Sequence, residues 1–209
     1  MIAGRDRLAG GSWLGLNDHG LVACVLNRRH TLGPDPDKRS RGELVLEALD
    51  HADAEDAAGA LAGLAPASYR GFNLVIADNR DAYWLKNEAG SITNTRLPPG
   101  LTMLTAVDAN ARAHPRVARH LPRFEAVPPP DPATGDWTAW TEILASPAGL
   151  EPEDAMTILP VRPGGFATVS SALIALPASP SPPSPPIRPV FRFAAGRPGE
   201  APYGLVDLG

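Results

Sequence analysis

A chain of 209 residues with 44% hydrophobic and 20% charged side chains is globular and has room for one substantial core, so a single domain over 1–209 is expected. Nineteen basic against 23 acidic residues give a formal charge of −4 with the basic residues scattered, which argues against a nucleic-acid partner, since phosphate contacts need concentrated Lys and Arg. One cysteine, Cys24, excludes an internal disulfide and a multi-thiolate zinc site, and no apolar run approaches the roughly 18 residues of a membrane span, so the cytoplasm is the expected compartment.

Near the front, GRDRLAGGSWLG (4–15) is glycine-rich, but a strand rather than a helix follows it, so the glycines read as a tight turn or a close backbone approach instead of a phosphate cradle. SWLGLN (12–17) and LVACVLN (21–27) form a predicted hairpin around Asp18-His19-Gly20. The segment 30–38 is polar and proline-punctuated, a loop. Ser40-Arg41-Gly42-Glu43 matches a capping box, with the Ser40 hydroxyl accepting from the Glu43 amide and the Glu43 side chain reaching back. A helix with an apolar stripe of Leu44, Val45, Ala48, Leu49 and Ala52 follows, and Asp53 caps a second, alanine-rich one that ends near Leu64.

FNLVIA (72–77) is apolar on both faces and reads as a central strand; AYWLK (82–86), SITNTRL (91–97) and LTMLTA (101–106) continue an antiparallel meander through turns at 78–81 and 87–90. Pro115 opens a helix through Leu121, and Asp136 caps another with Trp137, Trp140 and Leu144 on one face. Residues 155–159, 166–176 and 190–194 read as closing strands, with a proline-rich loop at about 178–189 between the last two. Segregated helices and antiparallel strands make the fold class α+β.

Few motifs carry chemistry. Cys24 lies among apolar neighbours, which predicts burial and a raised thiol pKa in a structural role. His114 and His120, six apart, fall on different faces of one helix, so no metal site is expected, and no cofactor is implied. Asp78-Asn79-Arg80-Asp81 has the composition of a hairpin turn.

GRDRLAGGSWLGLNDHG, VLNRR (25–29), KRSRGELVLEAL (38–49), YRGFNLVIAD (69–78), FATVSSALIAL (166–176) and FAAGRPGEAPY (193–203) together resemble, in order and spacing, bacterial members of the NRDE family, also called transport-and-Golgi-organisation protein 2-like. The resemblance implies a four-layer αββα sandwich like that of N-terminal-nucleophile hydrolases, with antiparallel sheets. Family members open with Met-Cys and carry an Asn-Arg-Asp-Glu signature; this chain enters the pattern at Gly4-Arg5-Asp6, which implies a form with the first strands missing. A terminal thiol or hydroxyl with its own α-amine as base performs catalysis on that scaffold, and Met1 offers only a thioether. No catalytic residue is therefore assigned, and the expected function is non-catalytic handling or trafficking of a small molecule of the lipid, acyl-CoA or haem class. The alternative is an amide hydrolase whose natural start lies upstream with Met-Cys. Self-association through an uncovered strand edge is a third expectation. For a binding pocket, Asn27 and Arg28 at a strand end, Arg41 at a helix start, Asn73 on the central strand and Ser170 on a late strand are the candidate lining groups, an arginine there suiting a carboxylate or phosphate. Each also has a structural reading: Ser40 to Glu43 a plain cap, Asn73 a side chain bonding backbone.

Overall fold

The β-rich sequence between Ile2 and Arg96 condenses into one antiparallel sheet in the computed structural model, which describes residues 1–7, 10–33, 35–146, 153–163, 165–178 and 188–209. These divide into two compact units, one built on Met1–Ala109 with residues 176–178 and the other on Asn110–Ala175 and residues 188–209. The fold is α+β with antiparallel sheets, as the element order implies.

In the first unit β1 (Ile2–Ala3), β2 (Leu14–Leu16), β3 (Val22–Asn27), β4 (Phe72–Ala77), β5 (Ala82–Glu88) and β6 (Ser91–Arg96) lie side by side in sequence order. The pairings Ala23 with Ile76, Val25 with Leu74, and Leu74 with Leu85 put one set of apolar side chains on a single face. Two helices cover that face: α1 (Gly42–Leu49) buries Leu44, Val45, Ala48 and Leu49, and α2 (Ala54–Ala62) buries Ala54, Ala57, Ala58 and Leu61. Burying each leucine fully stabilises the unit by about 1.5–3 kcal/mol, and the small alanines of α2 let the layers approach closely.

Local chemistry places these elements. Gly20, at φ +84°, turns the first hairpin, and the Asn17 carboxamide braces that turn by accepting from the His19 and Leu21 amides while donating to the Leu49 and His51 carbonyls at the end of α1. Asp53 caps α2 as expected, its carboxylate accepting from the Asp56 amide at 2.9 Å. The capping box expected at Ser40 does not form. Arg41 occupies the N-cap with no side-chain cap bond, the Ser40 hydroxyl accepts from the Gly42 amide, and the Glu43 carboxylate is drawn instead to the Arg39 guanidinium at 2.9 Å. A charge-assisted bond outcompetes the return to a neutral amide.

Two predicted strands are absent. Leu101–Ala106 leaves the sheet after Pro98, Pro99 and Gly100 (φ +114°), and its carbonyls serve other donors: Ala106 accepts from the Arg29 amide and Thr105 from the Asn73 side chain. Residues 155–159 form no ladder either, since the Thr157 amide donates to the Ser146 carbonyl and the Ile158 amide to the Thr168 hydroxyl. Residues 179–187 of the expected proline-rich loop lie outside the described residues.

The second unit holds α3 (Pro115–Glu125), α4 (Thr138–Leu144) and a three-stranded sheet of β7 (Ser171–Ala175), β8 (Val190–Ala194) and β9 (Gly204–Leu205). Only Ser171–Ala175 of the predicted strand 166–176 is in the ladder. The helix predicted to stop at Leu121 runs through Pro122 to Glu125, because Phe124 packs edge-on against Trp140 at 5.2 Å and Arg123 donates to the His120 ring. Burial lowers the His120 pKa, and one ring nitrogen stands 2.7 Å from the Asp154 carbonyl.

Gly11 and Gly42 touch backbone to backbone: a Cβ on Gly11 would stand 2.6 Å from the Gly42 carbonyl carbon, and the Ser12 amide donates to the Gly42 carbonyl at 3.0 Å. The close backbone approach expected of the glycines in GRDRLAGGSWLG is thus present at Gly11. Gly11→Ala is expected to lower stability by about 1–3 kcal/mol, because backbone cannot yield as a side chain can. Gly59→Ala, mid-α2 with open space around its Cβ, should raise stability by about 0.5–1 kcal/mol. Equilibrium urea denaturation reads both, and a Gly11→Ala protein as stable as the parent would contradict the contact.

Candidate functional site

The Gly11–Gly42 contact seats the start of α1 against the chain entering β2, and beside it a cavity of about 550 Å³ opens. Such a volume lies within the usual range for small-molecule sites. Its charged lining is Lys38, Arg39, Arg41 and Arg70 against Asp6 and Asp35, a local excess of cations on a chain that is acidic as a whole. Trp13 and Val25 supply apolar wall; they stand side by side because the Val25 amide donates to the Trp13 carbonyl at 3.0 Å, extending the β2–β3 pairing by one step.

The four cations differ in how they are held. Arg39 is neutralised by Glu43 and lies over the Tyr69 ring at 5.1 Å. Lys38 donates to the Ala67 carbonyl at 2.5 Å, and Arg70 to the Gly33 carbonyl at 3.2 Å. Arg41 donates through one nitrogen, Nη1, to the Thr31 carbonyl, the Thr31 hydroxyl and the Gly71 carbonyl, at 2.9–3.0 Å. Among the described residues no carboxylate pairs with it, and its Nε and Nη2 make no hydrogen bond. Burial, then the like charge of Arg70, holds its pKa below the ordinary guanidinium value. A half-buried cation fixed by neutral carbonyls and facing a like charge is an arrangement that an anion relieves.

Of the residues singled out from sequence, Asn27 and Arg41 line this cavity, Asn27 exposed at the end of β3. Arg28 and Asn73 are brought together, but on the opposite face of the sheet and with each other. Arg28 donates to the Asn73 carboxamide oxygen at 2.9 Å, pairs with Glu88 at 2.5 Å and lies 2.9 Å from Asp108. Asn73, fully buried, also accepts from the Trp84 indole at 3.1 Å and donates to the Thr105 and Val107 carbonyls at 2.9 Å each. Every hydrogen-bonding position of its carboxamide is engaged, which is the backbone-bonding reading of this residue extended into a network. Ser170 lies in the second unit just before β7. Cys24 is pushed up to about 11 by burial, which keeps it a thiol.

Trp13, Lys38, Arg39 and Arg70 were not foreseen as lining. The basic run KRSRG signalled three cations within four residues; Arg70 joins them because Arg39 bridges Tyr69 in parallel and its amide donates to the Ser68 carbonyl. Among the described residues no cluster of three His, Cys, Asp or Glu could hold a metal ion, and no helix is long and apolar enough to cross a membrane.

The sequence profile of the Transport and Golgi organisation 2 family matches residues 1–130, which include Met1–Ala109 of the first unit and the cavity. FATVSSALIAL and FAAGRPGEAPY lie beyond the matched span. No curated protein matches the chain.

The network around Asn73 makes two predictions. Asn73→Ala orphans the Trp84 indole, the buried Thr105 carbonyl and the partly buried Val107 carbonyl, and should cost about 2–4 kcal/mol in urea denaturation; a cost within about 0.5 kcal/mol would show the network to be dispensable. Burial opposes ionisation of Asp108, but hydrogen bonds from Lys86 and Arg28 outweigh it and hold its carboxyl below the ordinary value. A depressed folded-state pKa contributes stability that is complete above the unfolded value, about 3.9, and is lost as pH falls through the folded one. Acidification below about pH 4 should therefore destabilise the parent more steeply than Asp108→Asn, and equal slopes would refute the pairing.

Proposed function

The chain belongs to the Transport and Golgi organisation 2 family, and from that premise we propose that it is a non-catalytic small-molecule-binding protein whose cavity takes an amphipathic anion. The observation that carries this is Arg41: a desolvated guanidinium without a carboxylate partner among the described residues, in a cavity that also has apolar wall at Trp13 and Val25. Of the ligand classes implied by the family resemblance, lipids and acyl-CoA carry an anionic group joined to apolar surface and suit both parts of the wall. Haem as cargo is less well served. Its carboxylates suit the arginines, but among the described residues no His, Cys, Met or Tyr lines the cavity to meet its iron.

A binding role rather than amide hydrolysis is supported by the two hydroxyls in the wall. Ser12 donates to the Leu14 carbonyl at 2.9 Å and accepts from the Leu14 amide, and Ser40 accepts from the Gly42 amide; among the described residues no histidine lines the cavity to serve as base. The four-layer αββα plan belongs to the same reading, supported by the antiparallel sheets and by the helices layered on the first of them.

Dodecyl phosphate and dodecanol, which share a tail and differ in charge, test this by isothermal titration calorimetry. The parent protein should bind the phosphate and not the alcohol. Arg41→Ala should weaken that binding about tenfold or more, the loss of a charge-assisted hydrogen bond, and Arg70→Ala serves as a second variant should the first unfold. Equal affinity for the alcohol, or full affinity in both variants, would overturn the proposal.

A further inference from the structure

Trp13 is 43% exposed in the wall of the Arg41 cavity, while the other tryptophans of the chain are engaged elsewhere: Trp84 donates to Asn73, Trp137 is buried and Trp140 packs on Phe124. Leaving so large a ring half in water forgoes burial that a neighbouring side chain could supply. The chain does the opposite. Gly4, whose amide donates to the Leu14 carbonyl at 3.1 Å, lies against the indole so closely that a Cβ there would stand 2.7 Å from its Cζ2 atom. On its other flank, Val25 stands across the β2–β3 pair. The ring therefore lies against backbone at Gly4, and close to half of its surface is open.

We propose that Trp13 is a stacking platform for a planar heteroaromatic ring, and that the anion held by Arg41 and Arg70 belongs to the same ligand, a purine nucleoside monophosphate or a larger molecule containing one. This deepens the anion-binding reading above and rests on it. Indole offers a π-face to any base, and the neighbouring guanidiniums offer planar forks to a phosphate. An acidic group of the wall fits the remaining part. Asp35 provides a carboxylate oxygen, which suits the hydroxyls of a ribose and repels a bare phosphate, so it separates a nucleotide from inorganic phosphate. A cavity of about 550 Å³ lies in the range that such a ligand requires.

The test measures binding of adenosine monophosphate, inorganic phosphate and dodecyl phosphate to the full chain by calorimetry, with tryptophan fluorescence followed in parallel. Adenosine monophosphate should bind at least tenfold more tightly than inorganic phosphate and quench the emission of Trp13. Trp13→Ala should reduce that affinity about tenfold and leave inorganic phosphate unaffected, while Trp13→Phe keeps most of it, the range expected for one stacked base. Trp13 lies outside the buried core, and circular dichroism of each variant confirms that it folds. Nucleotide binding no tighter than phosphate, or undiminished in Trp13→Ala, overturns the inference. Dodecyl phosphate binding that depends on Arg41, without nucleotide binding, sinks this inference and leaves the anion-binding reading standing. Absence of binding by all three anions sinks both.

Discussion

Two glycine backbones in contact determine where the first helix starts, and the candidate site is laid out from that point. With no Cβ on either side, Gly11 and Gly42 approach until the Ser12 amide reaches the Gly42 carbonyl, so the first turn of α1 rests on the chain leading into β2. Arg41, one residue before the helix, is then directed toward the turn after β3, where Thr31 and the Gly71 carbonyl grip a single guanidinium nitrogen. Gly71 is itself constrained, since a Cβ there would meet Thr31 at 3.1 Å and the Asn87 carbonyl at 3.3 Å. Three glycines thus hold one cation in place without neutralising it.

The six-stranded sheet separates two kinds of chemistry. Its helix-covered face is apolar and provides cohesion through Ala23, Phe72, Leu74, Ile76 and Leu85, packed against Leu44 of α1. The reverse face carries the Arg28, Asn73, Lys86, Glu88 and Asp108 network, in which each charge has an opposite charge within reach. Breaking such a network is costly because it strands a buried partner, whereas its presence adds little net stability and instead fixes which conformation the loop at 101–108 adopts. Arg28 and Arg41 are thirteen positions apart in sequence and have contrasting surroundings: the first is paired with carboxylates, the second is held by neutral oxygens, two carbonyls and the Thr31 hydroxyl. That contrast distinguishes a structural arginine from one suited to a ligand.

Periodicity and turn chemistry made the first unit legible from its residues. The apolar stripe of α1, the Asp53 cap and the hairpin around Gly20 are local events, governed by neighbours within four or five positions. What sequence could not show was competition among distant groups. Glu43 has a capping partner in Ser40 and a stronger one in Arg39, and only the fold shows which prevails. Leu101–Ala106 has strand composition, yet its carbonyls are claimed by Asn73 and Arg29 from far upstream. The candidate cavity followed the same pattern: Asn27 and Arg41, polar groups at element ends in the sequence, line it, while Arg70 joins Lys38 and Arg39 only through a bridge between segments about thirty residues apart.

The central claim is that a cation deprived of a counter-charge makes this cavity an anion site. A heteronuclear NMR titration with dodecyl phosphate tests it most directly, by following backbone amides together with arginine Nε–H and indole N–H resonances. Saturable shifts should centre on Arg41, Gly42, Arg70 and Trp13 and leave the Arg28 side chain unmoved. Shifts centred on another part of the chain, or none that saturate, would contradict the account.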